Sequence, residues 1–570
     1  MSSVGSDGTK PDVPATSPKK APFIRNLWFL IGSAIFVIGI YVAVEFWEYS
    51  PMGNSLPNTI QHALIALTPI LLAIWIGFLS GWGRRGLVFA GLMLFALVGG
   101  AIAAVREVEF DGDMLMTFHY RWEPTVEDRI AKHREEQGGA ALPAAASEES
   151  RAAFHEAFRI SPQDMADFRG HNREGIIDGP VLSTDWTTKP PVEKWRIPVG
   201  EGYSSMAVVG DRLITIEQRG DQEAVACYDA NTGVSMWEHL YQARFYEAMG
   251  GLGPRSTPVV DEKGRVYTLG GEGDAYCLDL FDGKVLWHHN LLKEYQLPNV
   301  TWAMSSSPLL LGNHVIYNAG SEIGQALVAY DRETGRMIWE GAGLSRASHA
   351  ENLCGYSSPR LATLGGKEQI LHFDGAGLGG YDIESGKTLW FYPFKNDAGV
   401  NVAQPLVLPD DQVFITASYN HGAAVVKVSA DGEKFNATQV WTSPRSMRCK
   451  FTSPVLYNGI AYGLDEGILM ALDPVKNDVK WKKGRYGHGQ LLLSHDKLFI
   501  LTEKGQMVLV EATPESWQEL ASLQVLSDSV KVWNPPALVG NRAFVRDHHE
   551  MACYELPLAN DTPAAKTPPN

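Results

Sequence analysis

The chain has 570 residues, 45% of them hydrophobic, and its 65 acidic and 49 basic side chains give a formal net charge of -16 at pH 7. A single hydrophobic core does not keep growing to this length, so several structural units or a repeat architecture are expected. The acidic balance argues against a nucleic-acid partner, because binding to phosphates requires clustered Lys and Arg.

Three apolar segments come first in the chain, at about 27–47, 59–81 and 86–105. Each is close to the ~20 residues that an α-helix needs to cross the ~30 Å hydrocarbon layer of a bilayer. The first is long for a cleaved signal peptide and lacks a small-residue cleavage site before Glu45 and Glu48, so we expect it to be retained.

Residues 21–106 are therefore predicted to be a membrane anchor of three transmembrane helices, preceded by a disordered cytoplasmic tail, residues 1–20. The basic side chains near the ends of the spans are Lys19, Lys20, Arg25, Arg84 and Arg85. Positively charged loops stay in the cytoplasm, so the part of the chain after the spans is predicted to lie outside, in the periplasm of a bacterium whose inner membrane holds the anchor.

The spans carry no Asp, Glu, Lys or Arg in their interiors, and such charges usually mark an ion or substrate pathway. Gln61 and His62 are the only strongly polar groups near a span, and their position predicts that they lie at the membrane surface. The three apolar segments are therefore predicted to be an anchor rather than a transporter, and a quinone-docking role stays open.

Residues 107–190 are predicted to be a linker with short helices. The charged stretch 124–137 predicts one helix and 150–159 a second, whereas the small-residue stretch GGAALPAAASEES, 138–150, predicts a flexible connection. A second disordered tail is predicted at 559–570, which is rich in Pro and Ala.

Between these segments, residues 191–558 repeat a phrase that ends in Trp, roughly every 50 residues. The clearest copies, DANTGVSMW, DLFDGKVLW, DRETGRMIW and DIESGKTLW, end at Trp237, Trp287, Trp339 and Trp390. Opening phrases such as SSSPLL keep the same spacing, so each unit predicts four short antiparallel strands with an Asn/Asp/Gly turn before the last.

A four-stranded unit cannot bury both of its faces alone, but stacking such units in a closed ring does. The repeats predict a mainly β fold, an eight-bladed β-propeller, in which each closing Trp packs between neighbouring blades. Blades are expected to begin near Ser204, Ser256, Ser306, Ser357, Val402, Thr452, Leu491 and Pro535. The last unit has only three strands, so we expect the strand around Trp195 to complete it and seal the ring.

Five cysteines are too few for a disulfide framework. Cys227, Cys277 and Cys553 occupy the same place in three copies of a strand motif, which predicts small packed side chains. Cys354 and Cys449 fall in loops, where a disulfide bridge or a reactive thiol stays open.

The phrases that end in Trp resemble the pyrroloquinoline quinone (PQQ) repeat, A-x-D-x-x-T-G-K-x-x-W. The best matches are AYCLDLFDGKVLW at 275–287 and VAYDRETGRMIW at 328–339. The resemblance covers roughly 167–558 and implies the propeller fold. It does not choose an activity, because the family includes PQQ-dependent dehydrogenases and also BamB-like scaffold proteins of the cell envelope.

If the chain is a dehydrogenase, the resemblance implies PQQ and calcium as cofactors, with oxygen ligands to the calcium and an Asp base. It assigns neither calcium ligands nor catalytic residues in this sequence. The candidate cofactor-binding residues are Arg255, Trp302 and Arg219, since a guanidinium fork and an indole plane suit a planar anionic ring system. The alternative for Arg255 is an ion pair with a carboxylate of a neighbouring blade.

No metal site is predicted. His548 and His549 are adjacent, and adjacent residues of a strand face opposite ways, which argues against joint chelation. Two functions stay open: an anchored propeller that binds envelope proteins, which the sequence favours, and a quinoprotein dehydrogenase that oxidises an alcohol or sugar and reduces membrane quinone. A sensor is a weaker third hypothesis, because residues 1–20 carry no recognisable output domain.

Overall fold

The computed structural model describes residues 22–45, 55–79, 82–136, 147–320, 327–341, 354–396, 398–527 and 531–559. The chain forms two compact units, Met1–Ser50 with Asn54–Glu107, and Pro51–Gly53 with Val108–Asn570. The predicted tail 1–20, the predicted tail 559–570 apart from Ala559, and most of the predicted flexible connection lie outside the described residues.

The described helices of the first unit have side chains that are almost all apolar. Its elements are α1 (Pro22–Glu45), α2 (Ser55–Ile74), a π-helical turn (Trp75–Leu79) and α3 (Arg84–Ala104). Three stretches are long and apolar enough to span a membrane, Leu27–Val44, Leu56–Leu79 and Arg84–Ala104. Arg84 and Arg85, which the sequence places in the tight turn GWGRRG, are instead the first residues of α3.

The second unit begins with a hairpin, β1 (Val105–Phe110) and β2 (Met116–Tyr120), whose first strand starts in the first unit. Two helices and two strands follow before the first blade: α4 (Val126–Glu136), α5 (Glu148–Ala157), β3 (Ile176–Ile177) and β4 (Val192–Pro198). The two helices correspond to the two that the sequence predicts.

The described residues then form eight blades, so the predicted eight-bladed propeller is confirmed. Blades 1 to 3 and their connections contain β5 (Ala207–Val209), β6 (Arg212–Arg219), β7 (Gln222–Asp229), β8 (Ser235–Gln242), β9 (Tyr246–Glu247), β10 (Gly251–Leu252), β11 (Val259–Val260), β12 (Arg265–Leu269), β13 (Asp274–Asp279), β14 (Val285–Asn290), α6 (Leu291–Tyr295), β15 (Leu309–Leu311), β16 (His314–Asn318), β17 (Leu327–Asp331) and β18 (Met337–Glu340).

Blades 4 to 8 contain β19 (Arg360–Leu364), β20 (Lys367–Phe373), β21 (Gly377–Tyr381), β22 (Thr388–Pro393), β23 (Leu406–Leu408), β24 (Gln412–Ala417), β25 (Gly422–Asp431), β26 (Lys434–Ser443), β27 (Val455–Tyr457), β28 (Ile460–Asp465), β29 (Ile468–Asp473), β30 (Asp478–Arg485), β31 (Gln490–Ser494), β32 (Lys497–Leu501), β33 (Gln506–Glu511), β34 (Glu519–Gln524), β35 (Ala537–Val539), β36 (Arg542–Arg546) and β37 (Glu550–Glu555). Each blade is antiparallel, and β3 adds a parallel strand to the inner edge of blade 7.

Blade 8 is completed as predicted, because β4 pairs with β37 and Trp195 lies opposite Cys553. Neighbouring blades share their hydrophobic clusters. One cluster, for example, joins Ile214 and Trp237 of blade 1 to Val266 and Leu278 of blade 2. The core of the propeller therefore lies between the blades, which is why a single repeat could not fold on its own.

The closing Trp of most blades joins its blade to the next one. The indole N–H of Trp237 donates to the carbonyl of Leu280 (2.8 Å), and that of Trp287 donates to the carbonyl of Arg332 (3.0 Å). The ring of Trp237 also lies against Gly283, whose φ is +73°, so that a Cβ there would meet the ring at 2.5 Å. The Gly of the repeated turn thus leaves space for the Trp of the preceding blade.

The two faces of the ring differ in their connections. The turn face carries the links between first and second strands and between third and fourth strands of each blade. The loop face carries the links between second and third strands and between successive blades. The segment that precedes the first blade contacts both faces.

The segment 164–182 closes the axis of the ring, and this part of the predicted linker is a structural element of the propeller. Met165 pairs with Val208 of blade 1, and β3 pairs with β31 of blade 7. Between them, Arg173 is fully buried and donates to the carbonyls of Ser307, Pro308 and Pro359, and to the carboxylate of Asp167. We call 164–182 the axial segment.

Candidate functional site

The inner strands bring the residues that precede them to the axis on the loop face. In the repeated phrase X-S-S/T-P, and in its looser forms YSSM, FTSP and WNPP, position X directly precedes the residues that open a blade. Five of these positions carry large aromatic or cationic side chains, which we call the mouth ring: Tyr203, Arg255, Tyr356, Phe451 and Trp533.

Side chains of the mouth ring contact one another directly or through a shared neighbour. The ring centroids of Tyr203 and Trp533 are 5.2 Å apart, and those of Phe451 and Trp533 are 4.3 Å apart. The buried Lys531 ammonium lies 5.3 Å from the Tyr203 ring and 4.7 Å from the Trp533 ring. The four aromatic residues of the mouth ring were not singled out from the sequence, although their shared place in the repeat was a signal that could have identified them: Tyr203, Tyr356, Phe451 and Trp533.

Arg255 was predicted as a cofactor-binding residue, and its guanidinium is engaged within the protein. Nη2 donates to the carbonyl of Gly250 (2.8 Å), and Nη1 donates to the carbonyl of Gly253 (2.5 Å). The same group lies 5.2 Å from the Tyr203 ring and 5.0 Å from the Phe245 ring. Burial lowers the pKa of Arg255 from its ordinary value. These hydrogen bonds go to nearby backbone carbonyls, whereas the alternative hypothesis for Arg255 expected an ion pair with a carboxylate of a neighbouring blade.

Trp302 lies beside Arg255, as the prediction of a shared site requires. A Cβ on Gly250 would meet Trp302 Cδ1 at 2.5 Å and Arg255 Nη2 at 3.1 Å, so both side chains contact this glycine. The Trp302 ring lies 5.9 Å from the ring of Tyr356, whose hydroxyl accepts from the Trp302 backbone N–H at 3.4 Å. The structure therefore brings Trp302 and Arg255 together next to the mouth ring.

Arg219, the third predicted cofactor-binding residue, takes part in a different network. Its guanidinium pairs with Glu217 (3.0 Å) and Glu238 (2.7 Å) and donates to the hydroxyl of Tyr228 (3.0 Å). The attraction of these carboxylates outweighs burial and raises the pKa of Arg219. These partners all belong to blade 1, so the ion pairs of Arg219 account for its position within that blade.

The hairpin β1–β2 covers another part of the loop face. Glu109 is buried, and its carboxylate accepts from His548 (3.1 Å) and His119 (2.9 Å). At the hairpin turn, the Gly112 N–H donates to Glu503 (2.8 Å) and its carbonyl accepts from Lys450 Nζ (2.6 Å). The hairpin is thus held in the loop face by buried charges of blades 6 to 8.

The two adjacent histidines do not face opposite ways. His548 and His549 lie in the turn between β36 and β37 rather than on a strand, and their ring centroids are 4.1 Å apart. The period of two that separates neighbouring side chains applies to extended strands and not to this bend, so the expected geometry was wrong. His548 is held by Glu109. Among the described residues, no group of three or more His, Cys, Asp or Glu is arranged to hold a metal ion.

The carboxylates near Arg255 do not form a set that suits calcium beside a quinone. Glu247 accepts from the backbone N–H groups of Met249 (3.0 Å) and Gly250 (2.7 Å). Glu223 is buried and accepts from the hydroxyl of Tyr241 (2.6 Å), and burial raises its pKa to about 7. A hard cation prefers several ionised oxygens free to converge on it, and these two are committed to other partners. In the described part of the chain, the carboxylates beside Arg255 therefore do not fit PQQ with calcium.

The two loop cysteines are buried and form no disulfide. Burial raises the pKa of the Cys354 thiol and of the Cys449 thiol, so the reactive thiol considered from the sequence is not supported. Cys227, Cys277 and Cys553 are buried opposite the closing Trp of their own blades, which confirms that they are small packed residues.

Comparison with known proteins identifies the family. The sequence profile described as outer membrane protein assembly factor BamB matches residues 180–342 and 221–483, together more than half of the chain. The chain belongs to this family. The outer membrane protein assembly factor BamB of Burkholderia pseudomallei (strain K96243) is 24% identical over 276 residues, which span 40% of this chain and 65% of that protein.

Solved structures similar to this BamB-family chain include the following two. The crystal structure of BamB from Moraxella catarrhalis has a TM-score of 0.45 and 14% identity, covering 64% of this chain and 98% of the other. Quinohemoprotein alcohol dehydrogenase from Comamonas testosteroni has a TM-score of 0.39 and 13% identity, covering 76% and 85%. At these TM-scores neither likeness assigns a function to this chain.

Proposed function

We propose that this protein is a membrane-anchored scaffold of the bacterial cell envelope, whose propeller binds other envelope proteins through its loop face. The observation that carries the proposal is membership of the BamB family over residues 180–483. Trp302, Tyr356 and the other partly exposed aromatic side chains around the mouth ring supply the contact area that protein interfaces favour.

The geometry around Arg255 supports binding over redox chemistry. A guanidinium that clamps a cofactor needs donors free to point at it, and the donors of Arg255 are directed at Gly250 and Gly253. In a scaffold, the same hydrogen bonds hold the connection between blades 1 and 2 in one conformation. A rigid loop loses less conformational entropy when a partner binds.

We further propose that the three apolar helices anchor the chain in the inner membrane with the N-terminus in the cytoplasm and the propeller in the periplasm. The length and composition of the helices support the anchor. The basic residues at the start of α3 support the orientation, because such residues stay on the cytoplasmic side.

The test is site-specific photocrosslinking of the full chain in its own membranes. A photoreactive residue replaces Trp302 on the loop face, and in a matched variant it replaces the exposed Asn231 on the turn face. The expected result is a defined crosslinked protein from position 302 that is missing from position 231. Equal or absent products at both positions would contradict a binding role for the loop face.

Gly250→Ala provides a second arm, because the new methyl group meets the side chain at position 302 and Arg255. Its control is Gly179→Ala, where the nearest atom to the new methyl group is 3.4 Å away. We expect the crosslink to weaken only in the first variant. Tight binding of PQQ with calcium, together with dye reduction by alcohols or sugars that is lost in Arg255→Ala, would instead establish the dehydrogenase alternative.

A further inference from the structure

The hairpin β1–β2 has one polar and one apolar face. His119 and Glu109 contact each other at 2.9 Å, so they share the face that lies against His548. Because successive side chains of a strand alternate, Phe110 and Phe118 belong to the opposite face. The polar face fixes the hairpin in the propeller, and the apolar face points away from those contacts.

The apolar face is not buried. It comprises Val108, Phe110, Met116, Phe118 and Tyr120, none of which is buried in the structure. The side chain of Phe118 is 46% exposed. Trp122 follows β2, is 69% exposed and stacks flat on Tyr120, with ring centroids 4.7 Å apart and planes 5° from parallel. We call these six residues the hairpin patch.

A contiguous exposed surface of this kind marks an interaction site, because isolated apolar side chains are common on protein surfaces and clustered ones are not. Its composition favours lipid. Trp and Tyr concentrate in the interfacial layer of membranes, where the ring is half buried and its polar atom stays wet. Arg121 lies between the stacked rings in sequence and is exposed, and a cation there suits anionic headgroups.

The position of the patch in the chain also favours lipid. Ala104 is the last residue of α3, the third stretch long enough to span a bilayer, and Val105 is the first residue of β1. A segment that leaves a spanning helix and continues without a loop enters the headgroup layer first. We propose that the hairpin patch lies in the interfacial layer of the lipid bilayer.

The inference rests on the proposed anchoring, and the experiment separates the two. The full chain is reconstituted in vesicles of phosphatidylethanolamine and phosphatidylglycerol, and its flotation with the vesicles tests the anchor. Phe118→Cys and, separately, Trp122→Cys are labelled with a nitrobenzoxadiazole dye, whose emission depends on polarity. The unsubstituted chain measures background labelling, which we expect to be low because its cysteines are buried.

The matched control is Val479→Cys, which carries the same dye on an outer strand where the native side chain is 45% exposed. We expect the dyes at 118 and 122 to emit at shorter wavelength, to lose emission to lipids spin-labelled near the headgroup, and to be protected from iodide in water. The dye at 479 should show the reverse.

If the chain floats but iodide quenches the dyes at 118 and 122 as strongly as the dye at 479, the patch lies in water and the inference is wrong while the anchor stands. Protection from both quenchers would show that protein covers the patch, which also overturns it. Failure to float would contradict the anchor itself. Near-ultraviolet circular dichroism of each variant shows whether the propeller is folded.

Discussion

Glu109 accepts a hydrogen bond from His548 at 3.1 Å, although the two residues are 439 positions apart in the chain. Burial opposes protonation of His548, but the charge of Glu109 outweighs it and raises the His548 pKa from 6.5 to about 9. Burial likewise acts against ionisation of Glu109, yet His548, His119 and Lys531 hold its pKa well below the ordinary value. The hairpin is therefore held by a charged pair at neutral pH.

This pair predicts how stability depends on pH. The contribution of His548 is complete below pH 6.5 and is lost as the pH rises through about 9, and a shift of this size corresponds to about 3 kcal/mol. Burial and the charge of His548 lower the pKa of His549, so protonation of His549 in the unfolded chain reduces stability below pH 6.5. We expect the unfolding temperature of the detergent-solubilised chain to peak near pH 6.5.

Replacement of Glu109 tests the origin of this dependence. Glu109→Gln leaves buried cations without their carboxylate and is expected to cost roughly 3 kcal/mol near neutral pH. It should also flatten the alkaline side of the profile. Asp221→Asn, whose side chain is exposed, is the control and should change little. An unchanged profile in Glu109→Gln would mean that the pair does not control stability.

The contact between Gly283 and Trp237 predicts which glycines of the repeat are needed. Gly283→Ala places a methyl group 2.5 Å from the Trp237 ring and also forces alanine to φ +73°. Gly312→Ala has a similar backbone cost, at φ +54°, but meets no atom within 4 Å. We expect Gly283→Ala to lower the free energy of unfolding by about 1–3 kcal/mol more than Gly312→Ala does. Equal losses measured by chemical denaturation would contradict a packing role for this glycine.

Arg173 predicts that the axial segment stabilises the whole ring. Arg173→Ala leaves the carbonyls of Ser307, Pro308 and Pro359 without a donor, each costing about 1–3 kcal/mol if water does not replace it. The variant should unfold at lower temperature and be cleaved faster by protease. Arg445→Ala, at an exposed position, is the control. Resistance to protease equal to that of the unsubstituted chain would show that the ring does not depend on the axial segment.

The buried thiols predict low chemical reactivity. Burial raises the pKa of the thiols of Cys354 and Cys449, so little thiolate is present at neutral pH and little reagent reaches it. Mass spectrometry after treatment with iodoacetamide should find the native chain unmodified and the denatured chain modified at all five cysteines. Rapid modification of Cys354 in the native state would reveal an opening at that site.

The parts of the fold that could be predicted are those that repeat. Trp237, Trp287 and Trp339 each pack between their own blade and the next one. Because this role recurs in most blades, the same residue recurs at the same spacing in the sequence. The three-stranded last unit and the isolated Trp195 then fixed how the ring closes. The shared cysteine position was predictable for the same reason.

The parts that could not be predicted occur once. Arg173 and Glu109 lie outside the repeated phrases, and their partners Pro359 and His548 are 186 and 439 positions away, so no local pattern marked the axial segment or the hairpin. His548 was misread because it was placed on a strand, whereas the chain bends there. The position of Arg255 in the repeat predicted that it lies near the axis on the loop face. The sequence did not predict that backbone carbonyls accept its hydrogen bonds.

The pairing of β4 with β37 affects the order in which the molecule can mature. Seven blades draw their four main strands from one continuous stretch and can form in turn while the chain is being made. The eighth needs a strand made before the first blade and three made after the seventh. Until the final strand is available, the first and last blades keep an exposed edge that can aggregate or bind chaperones. The ring is therefore protected from misassembly only when synthesis of the propeller is complete.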